Sequence, residues 1–578
     1  KGNIGLFFED INYAADGGLY AEMIENRSFE FFKTTGVNDA YSNELDGLYG
    51  WYKYPENNPF TAMELRTDDP LSPVNRHYLH IRTRRERMGF TNKSYDGLAL
   101  KKNEKYNVTL YMNADDYDGI MTFRIEKDKD VLFFYDVDCS NEEKGWNEIA
   151  FCFEAPADVK NARFVVLLDR PGEADFDFIS VMPASAVYGI FRKDLADMLK
   201  DLKPGFLRFP GGCVIEGNNL ENRYQWKLSV GDVRDRKANW NRWAVHNNGR
   251  ENNFTSKFSH YNQTLGMGYF EYFLLCEYIG AKALPVVNVG LACQYQSTEL
   301  VETSDPRFKE FIQDALDLIE FANGDASTKW GRVRAEMGHP EPFGLELLGI
   351  GNEQWETEKV DFFKRYTMFE KAVHKKYPKI RLIGSAGPDV RTPRYEAAWD
   401  FYRKAAKKNP DFTYAIDEHY YMAPEWFLEN THFYDEYPRD VKVFSGEYAA
   451  HPKRTGSEKS GNTLKGAIAE AAFLTGVERN SDVVVMVSYA PLLARIGYTQ
   501  WAPDLIWFDD AESSGSPSYH IQRMYSLNTG DFTLKTEGSF DKDLVFTSAS
   551  YDTKAKELIL KVVNASDKKK KLSLDLKD

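Results

Sequence analysis

A (β/α)8 barrel interrupted by an inserted β-sandwich is the fold this chain predicts, and three observations predict it. Eight short apolar runs, at residues 4–8, 206–209, 283–289, 345–350, 380–384, 413–417, 441–445 and 482–489, have the continuous hydrophobicity of strands buried on both faces. From the second run onward, segments of helical period separate them, the alternation of a parallel α/β fold. Between the first run and the second, residues 28–183 change to period two with Gly, Asp and Asn at close intervals, which reads as a sandwich inserted into the barrel.

Taken in order, residues 1–27 read as a first βα unit: an apolar strand breaking at Glu9 and Asp10, a turn at Gly17-Gly18, and a helical start through Tyr20, Met23 and Ile24. In the insert, strands are expected at Tyr106–Met112, Met121–Ile125, Val131–Tyr135, Trp146–Phe153, Arg163–Leu168 and Phe176–Val181. The barrel resumes at 184 and runs to 529, with helices around 194–200, 270–278, 308–322, 362–377, 395–408 and 464–475 between its strands. Residues 530–578 alternate again and suggest a C-terminal β-sandwich of jelly-roll type, incomplete because the chain stops on a charged strand-like stretch.

At 578 residues, two or three compact units are expected. The net charge of −15 argues against nucleic acid, which needs a basic patch to displace counterions. No apolar run approaches the roughly 18 residues of a membrane span. The 15% aromatic content suits carbohydrate handling and aromatic-rich cores equally. Five cysteines without a Cys-x-x-Cys pair give neither a disulfide framework nor a structural zinc site, although Cys139 and Cys152 lie where a hairpin pairing is possible. The N-terminus at Lys1 carries no compartment signal; a periplasmic or extracellular location is the expectation.

Chemistry concentrates where apolar strands end in carboxylates. Leu347-Leu-Gly-Ile-Gly-Asn-Glu353 and Val441-Lys-Val-Phe-Ser-Gly-Glu447 both do so, after the fourth and the seventh strand. At the C-terminal mouth of a barrel those strands face one another, and two carboxyl groups roughly 5–5.5 Å apart suit glycosidic cleavage with retention. Asn352 is then placed to donate to a sugar hydroxyl. Signals for other chemistries fail: Gly266-Met-Gly268 lacks the third glycine of a dinucleotide loop, Gly212–Gly217 is followed by Asn218 rather than Lys-Ser/Thr, and no Gly-x-Ser-x-Gly elbow occurs.

Phe8-Glu-Asp-Ile-Asn12, Leu207-Arg-Phe-Pro-Gly-Gly-Cys213, Gly268-Tyr-Phe-Glu-Tyr272, Gly349-Ile-Gly-Asn-Glu353, Asp417-Glu-His-Tyr-Tyr421 and Ser445-Gly-Glu-Tyr448 together resemble the α-L-arabinofuranosidases of glycoside hydrolase family 51, in order along 1–27 and 184–529. The resemblance is to the branch whose barrel carries a carbohydrate-binding-like sandwich after its first strand. It implies a retaining, exo-acting enzyme without cofactor or metal, acting on arabinoxylan, arabinan or their oligosaccharides. Glu353 would be the acid/base and Glu447 the nucleophile; Glu9, Asn352 and a strand-six tyrosine, Tyr421 in preference to Tyr420, would hold the sugar ring, with Cys213 facing it. His419 is a candidate for orienting this network and Trp355 for stacking on sugar, each with a core role as the alternative; Trp226, Trp240, Trp243 and Trp501 are weaker cleft candidates. The polar stretch 246–263 looks longer than usual for the family and would reshape the leaving-group side. A two-glutamate barrel acting on xylosides or glucans, and a non-catalytic polysaccharide-binding protein, remain the competing readings.

Overall fold

The computed structural model describes residues 2–34, 43–245, 257–452, 461–537 and 541–576. Eight parallel strands close into a barrel in chain order: β1 (Ile4–Phe7), β2 (Phe206–Phe209), β3 (Lys282–Val287), β4 (Leu347–Ile350), β5 (Arg381–Ser385), β6 (Ala415–Met422), β7 (Lys442–Ala450) and β8 (Val484–Tyr489). β8 pairs with β1 and completes the cylinder. All eight expected strands are present, and the expected helices form at Lys193–Asp201, Tyr269–Ile279, Phe308–Asn323, Phe362–Lys376, Pro393–Ala406 and Leu464–Arg479.

The barrel floor is apolar. Phe206, Leu284, Leu347, Ile383, Ala415, Phe444 and Met486, one from each of β2 to β8, pack into a single cluster. On β1 the corresponding space is filled from β2: a Cβ at Gly5 would stand 2.4 Å from the Phe206 ring. One period further along β2 and β6, Arg208 and Asp417 enter the interior and form a buried pair at 3.4 Å. A charged layer therefore sits directly on the apolar floor, beneath the mouth.

The insert is a two-sheet sandwich. One sheet runs in the order Asp130–Asp138, Ile120–Lys127, Val159–Leu168, Met88–Asn92, Trp51–Tyr54; the other runs Trp146–Glu154, Lys105–Asn113, Gly172–Pro183, Tyr78–Thr83, Thr61–Arg66. Their inward residues make one core, including Phe90, Leu110, Phe123, Phe164 and Phe176. The expected helix from Tyr20 to Ile24 does not form. Asp16 is extended, Gly17 has φ +78°, and the Glu22 carboxylate accepts from the backbone N–H groups of Ile24 and Val181. Met23 N–H donates to Val181 O, so this segment is stitched to the sandwich and the first barrel helix is delayed to Lys193. Cys139 and Cys152 are both free, one buried under the sheet and one exposed.

At the C-terminal end, Phe532–Leu534, Val545–Asp552 and Glu557–Asn564 form one antiparallel sheet. It is tied to the helix Leu464–Arg479 through Ser548 and Lys561, both bonded to Glu478.

Candidate active site

The mouth of the barrel gathers ionisable groups from β1, β2, β4, β6 and β7 around a cavity of about 240 Å³ lined by Glu9, Cys213, Trp243, Tyr295, Glu353, Tyr421, Glu447 and Trp501 among others.

Glu447 reaches it through a fault in β7. Phe444 belongs to the inward floor, so strict alternation would send Glu447, an odd number of residues on, out into the helical layer. The register slips once: Glu418 pairs with Ser445, but His419 pairs with Glu447. The extra residue is Gly446, where a Cβ would lie 1.8 Å from an Asp417 carboxylate oxygen. Such a bulge re-aims the following side chain, here onto the inner face beside His419.

There the Glu447 carboxylate is held by donors. Arg208 Nη1 donates to Oε1 at 2.8 Å and the Tyr421 hydroxyl donates to Oε2 at 2.8 Å. His419 Nδ1 lies 3.5 Å from Oε1. Burial raises this carboxyl above its ordinary range, while the charges of His419 and Arg208 oppose the rise. Charge-assisted donors on both oxygens suit the ionised form.

Glu353 stands just past the end of β4 with φ +50°, a left-handed conformation that costs a non-glycine residue free energy and is found at functional sites. Its side chain keeps 13% of its surface exposed, and His419 Nδ1 lies 2.8 Å from Oε1. One oxygen of Glu353, one of Glu447 and a nitrogen of His419 all lie within 4.8 Å of one another. Burial alone would lower the basicity of His419; the charges of Glu447 and Asp417 and the bonds to Asp417 and Glu353 outweigh it and push it well above the ordinary value. The carboxylates around His419 therefore favour its imidazolium form, and its Nε2 lies 3.1 Å from Asp417.

Asn352 is almost fully buried, and its amide is used at both ends. Its Oδ1 accepts from Arg208 at 2.6 Å, and its Nδ2 donates to Glu216 at 2.9 Å. Gln354 Nε2 donates to the other oxygen of Glu216 at 2.6 Å. Gly212 is the close wall here: a Cβ would meet Glu447 Oε1 at 2.9 Å and Asn352 Oδ1 at 3.2 Å.

Glu9, just beyond β1, accepts two bonds on one oxygen, from Val214 N–H at 3.1 Å and Trp243 Nε1–H at 3.2 Å. Burial first, and the Glu447 charge second, push its carboxyl up to about 8.

Period two sorts the strand-six tyrosines. Tyr421 points inward with His419, whereas Tyr420 points into the outer layer, where its hydroxyl meets Ser445 at 2.7 Å and Tyr434 at 3.0 Å. Tyr420, expected as an alternative sugar ligand, is thus kept out of the cavity by the pleat of β6. Trp355 sits at the rim under the Arg394 guanidinium and next to Tyr295, not among the cavity-lining residues. Trp243 and Trp501 line the cavity; Trp226 packs on Trp330 and Phe321. Most of the long polar stretch at 246–263 lies outside the described residues. Arg208, Asp417, Glu216 and Gln354 were not singled out from the sequence; a charged residue within a doubly buried strand, as Arg208 is between Leu207 and Phe209, marks a polar position without naming its partner.

The chain resembles known proteins over nearly its whole length. Residues 198–439 match the family model of the α-L-arabinofuranosidase 1 domain, and residues 446–578 that of the α-L-arabinofuranosidase C-terminal domain. The extracellular exo-α-L-arabinofuranosidase of Streptomyces chartreusis is 36% identical over 556 residues, 93% of this chain and 61% of that protein, so the chain spans less than two thirds of that relative. α-L-Arabinofuranosidase 2 of Arabidopsis thaliana is 32% identical over 578 residues, 97% of this chain and 77% of its own length. Among solved structures, the arabinose-bound MgGH51 α-L-arabinofuranosidase superposes with a TM-score of 0.80 at 28% identity, covering 97% of this chain and 86% of that one. With its barrel, its inserted sandwich and this likeness over nearly its whole length, the chain belongs to the α-L-arabinofuranosidases of glycoside hydrolase family 51.

Proposed function

We propose that the protein is a retaining, exo-acting α-L-arabinofuranosidase that releases terminal arabinofuranosyl units from arabinoxylan, arabinan or their oligosaccharides. The observation that supports this most is the approach of Glu353 and Glu447 to within 4.8 Å beside an open cavity. The cavity, about 240 Å³, is below the roughly 300–1,000 Å³ typical of pockets for larger ligands, a size for one terminal ring rather than an internal stretch of chain.

In the first step Glu447 attacks the anomeric carbon as the bond to the leaving oxygen breaks, and Glu353 gives that oxygen its proton. In the second, Glu353 takes a proton from water, whose oxygen attacks the same carbon and frees Glu447. Two inversions return the starting configuration. The His419 imidazolium supplies a positive charge between the two acids, so negative charge passes from one to the other without an unshielded pair of anions. Neutral Glu9 offers a hydrogen bond to a ring hydroxyl, and Tyr421 and Cys213 complete the wall of the sugar site. Asn352 acts from behind, fixed by Arg208 and Glu216.

The test is a panel of aryl glycosides with branched arabinoxylan and debranched arabinan, read by product analysis. Turnover of the α-L-arabinofuranoside, with arabinose as the monosaccharide released, supports the proposal; preferential turnover of the xyloside or glucoside, or binding without turnover, replaces it with one of the competing readings. The same reading divides the chain at 27/28, 183/184 and 529/530, a division that limited proteolysis tests. It also places the protein outside the cytoplasm, periplasmic or extracellular, which activity in fractionated cells tests; no helix among the described residues is long and apolar enough to cross a membrane.

A further inference from the structure

Behind the sugar cavity, two cysteines from different barrel loops come together. Cys213 Sγ and Cys293 Sγ are 4.0 Å apart; Cys213 lines the cavity and Cys293 is buried behind it. Their backbones are strapped together, because Cys293 N–H donates to Gly217 O and Gly217 N–H donates to Cys213 O. A disulfide needs an S–S distance of about 2.05 Å, so the sulfurs must close by roughly 2 Å.

We propose that Cys213 and Cys293 are a reversible disulfide site whose closure lowers activity by pulling one wall of the sugar pocket away from the substrate. The hydrogen bond shared with Cys213 brings the Cys293 thiol down to about 6; burial opposes that fall and the charge of buried Arg242 assists it, so the surroundings favour a thiolate at this pair. A soft metal ion is the competing occupant, with Glu216 as a third ligand. Both oxygens of Glu216 already accept from Asn352 and Gln354, and Arg242 adds positive charge, which disfavours a cation there. With a peroxide as oxidant, the thiolate takes one oxygen to form a sulfenic acid as the O–O bond breaks. The neighbouring thiol then attacks that sulfur and displaces water. The two sulfurs give up two electrons, and with one further proton the peroxide leaves as two waters.

The experiment treats the protein with hydrogen peroxide and follows intact mass, peptide mapping and activity on an aryl arabinofuranoside, before and after dithiothreitol. The mass readout stands whatever sugar the cavity takes. The expected result is the loss of two hydrogens, a linked Cys213–Cys293 peptide, and a fall of roughly tenfold or more in kcat/KM that dithiothreitol restores. In Cys293→Ser, both the linked peptide and the thiol-reversible loss should be absent while the basal rate stays within about twofold. Linkage elsewhere, persistence of both free thiols through a reversible loss of activity, or a Cys213–Cys293 bond that leaves kcat/KM unchanged overturns the proposal.

Discussion

The two glutamates face one cavity, but the ends of β4 and β7 build them into opposite surroundings. Glu447 lies within a nine-residue strand, aimed by a bulge and held by Arg208 and Tyr421 on separate oxygens. Glu353 lies beyond a four-residue strand, in a left-handed conformation, with His419 as its close partner and part of its carboxyl open. A carboxylate gripped by charge-assisted donors is suited to stay ionised and strike one carbon. One carried on a turn at the opening is suited to exchange a proton with a departing oxygen or an arriving water. The difference in surroundings, more than the shared residue type, carries the proposed division of roles.

The comparison breaks first at β7. Glu447→Ala should lower kcat on an aryl α-L-arabinofuranoside by roughly 10⁴-fold or more while thermal unfolding shows that the fold persists. A loss of less than about tenfold would mean that the gripped carboxylate is not the nucleophile. At β4 the expected loss depends on the substrate. Glu353→Ala should slow substrates with poor leaving groups by roughly 10²–10⁴-fold, yet slow bond cleavage far less where the departing phenol is acidic, because protonation matters only when the departing oxygen is basic. Equal slowing across a leaving-group series would remove the acid role.

A smaller effect concerns Glu9, on the β1 side. Its carboxyl titrates near 8 in the folded chain against an ordinary 4.5, so the native state holds a proton that the unfolded chain releases in this window. Stability contributed by this group is therefore present below about pH 4.5 and lost as pH rises toward 8. Glu9→Gln keeps the shape without titrating, so its unfolding free energy relative to the parent should improve across that window; parallel curves would show that Glu9 is ionised throughout. The smallest effect is expected at β6: Tyr420→Phe should change kcat/KM by less than about twofold, and Tyr421→Phe, which removes a hydroxyl from a charged acceptor, by roughly tenfold or more. The reverse order would contradict the alternation read from the pleat.

The barrel was legible because strands buried on both faces must be continuously apolar, a pattern that survives without knowledge of their partners. Glu353 and Glu447 were legible as the polar residues that stop such runs. The route by which Glu447 reaches the cavity was not, since counting by twos from Phe444 points it outward and only the register against β6 reveals the slip at Gly446. Arg208 and Asp417 were hidden for a related reason: alternation says that a side chain points inward, not that an ion pair waits there. The segment from Tyr20 to Ile24 has helical spacing, yet Glu22 captures the Ile24 N–H together with the Val181 N–H of the sandwich, and that side-chain competition leaves no periodic trace.

The most direct test of the paired-glutamate account is mass spectrometry of Glu353→Ala mixed with an arabinofuranoside carrying an activated leaving group. With the base for the second step removed, the account predicts that the enzyme accumulates with a single arabinofuranosyl unit esterified to the peptide containing Glu447. An adduct on any other residue, or first-formed arabinose of inverted configuration with no adduct at all, would contradict it.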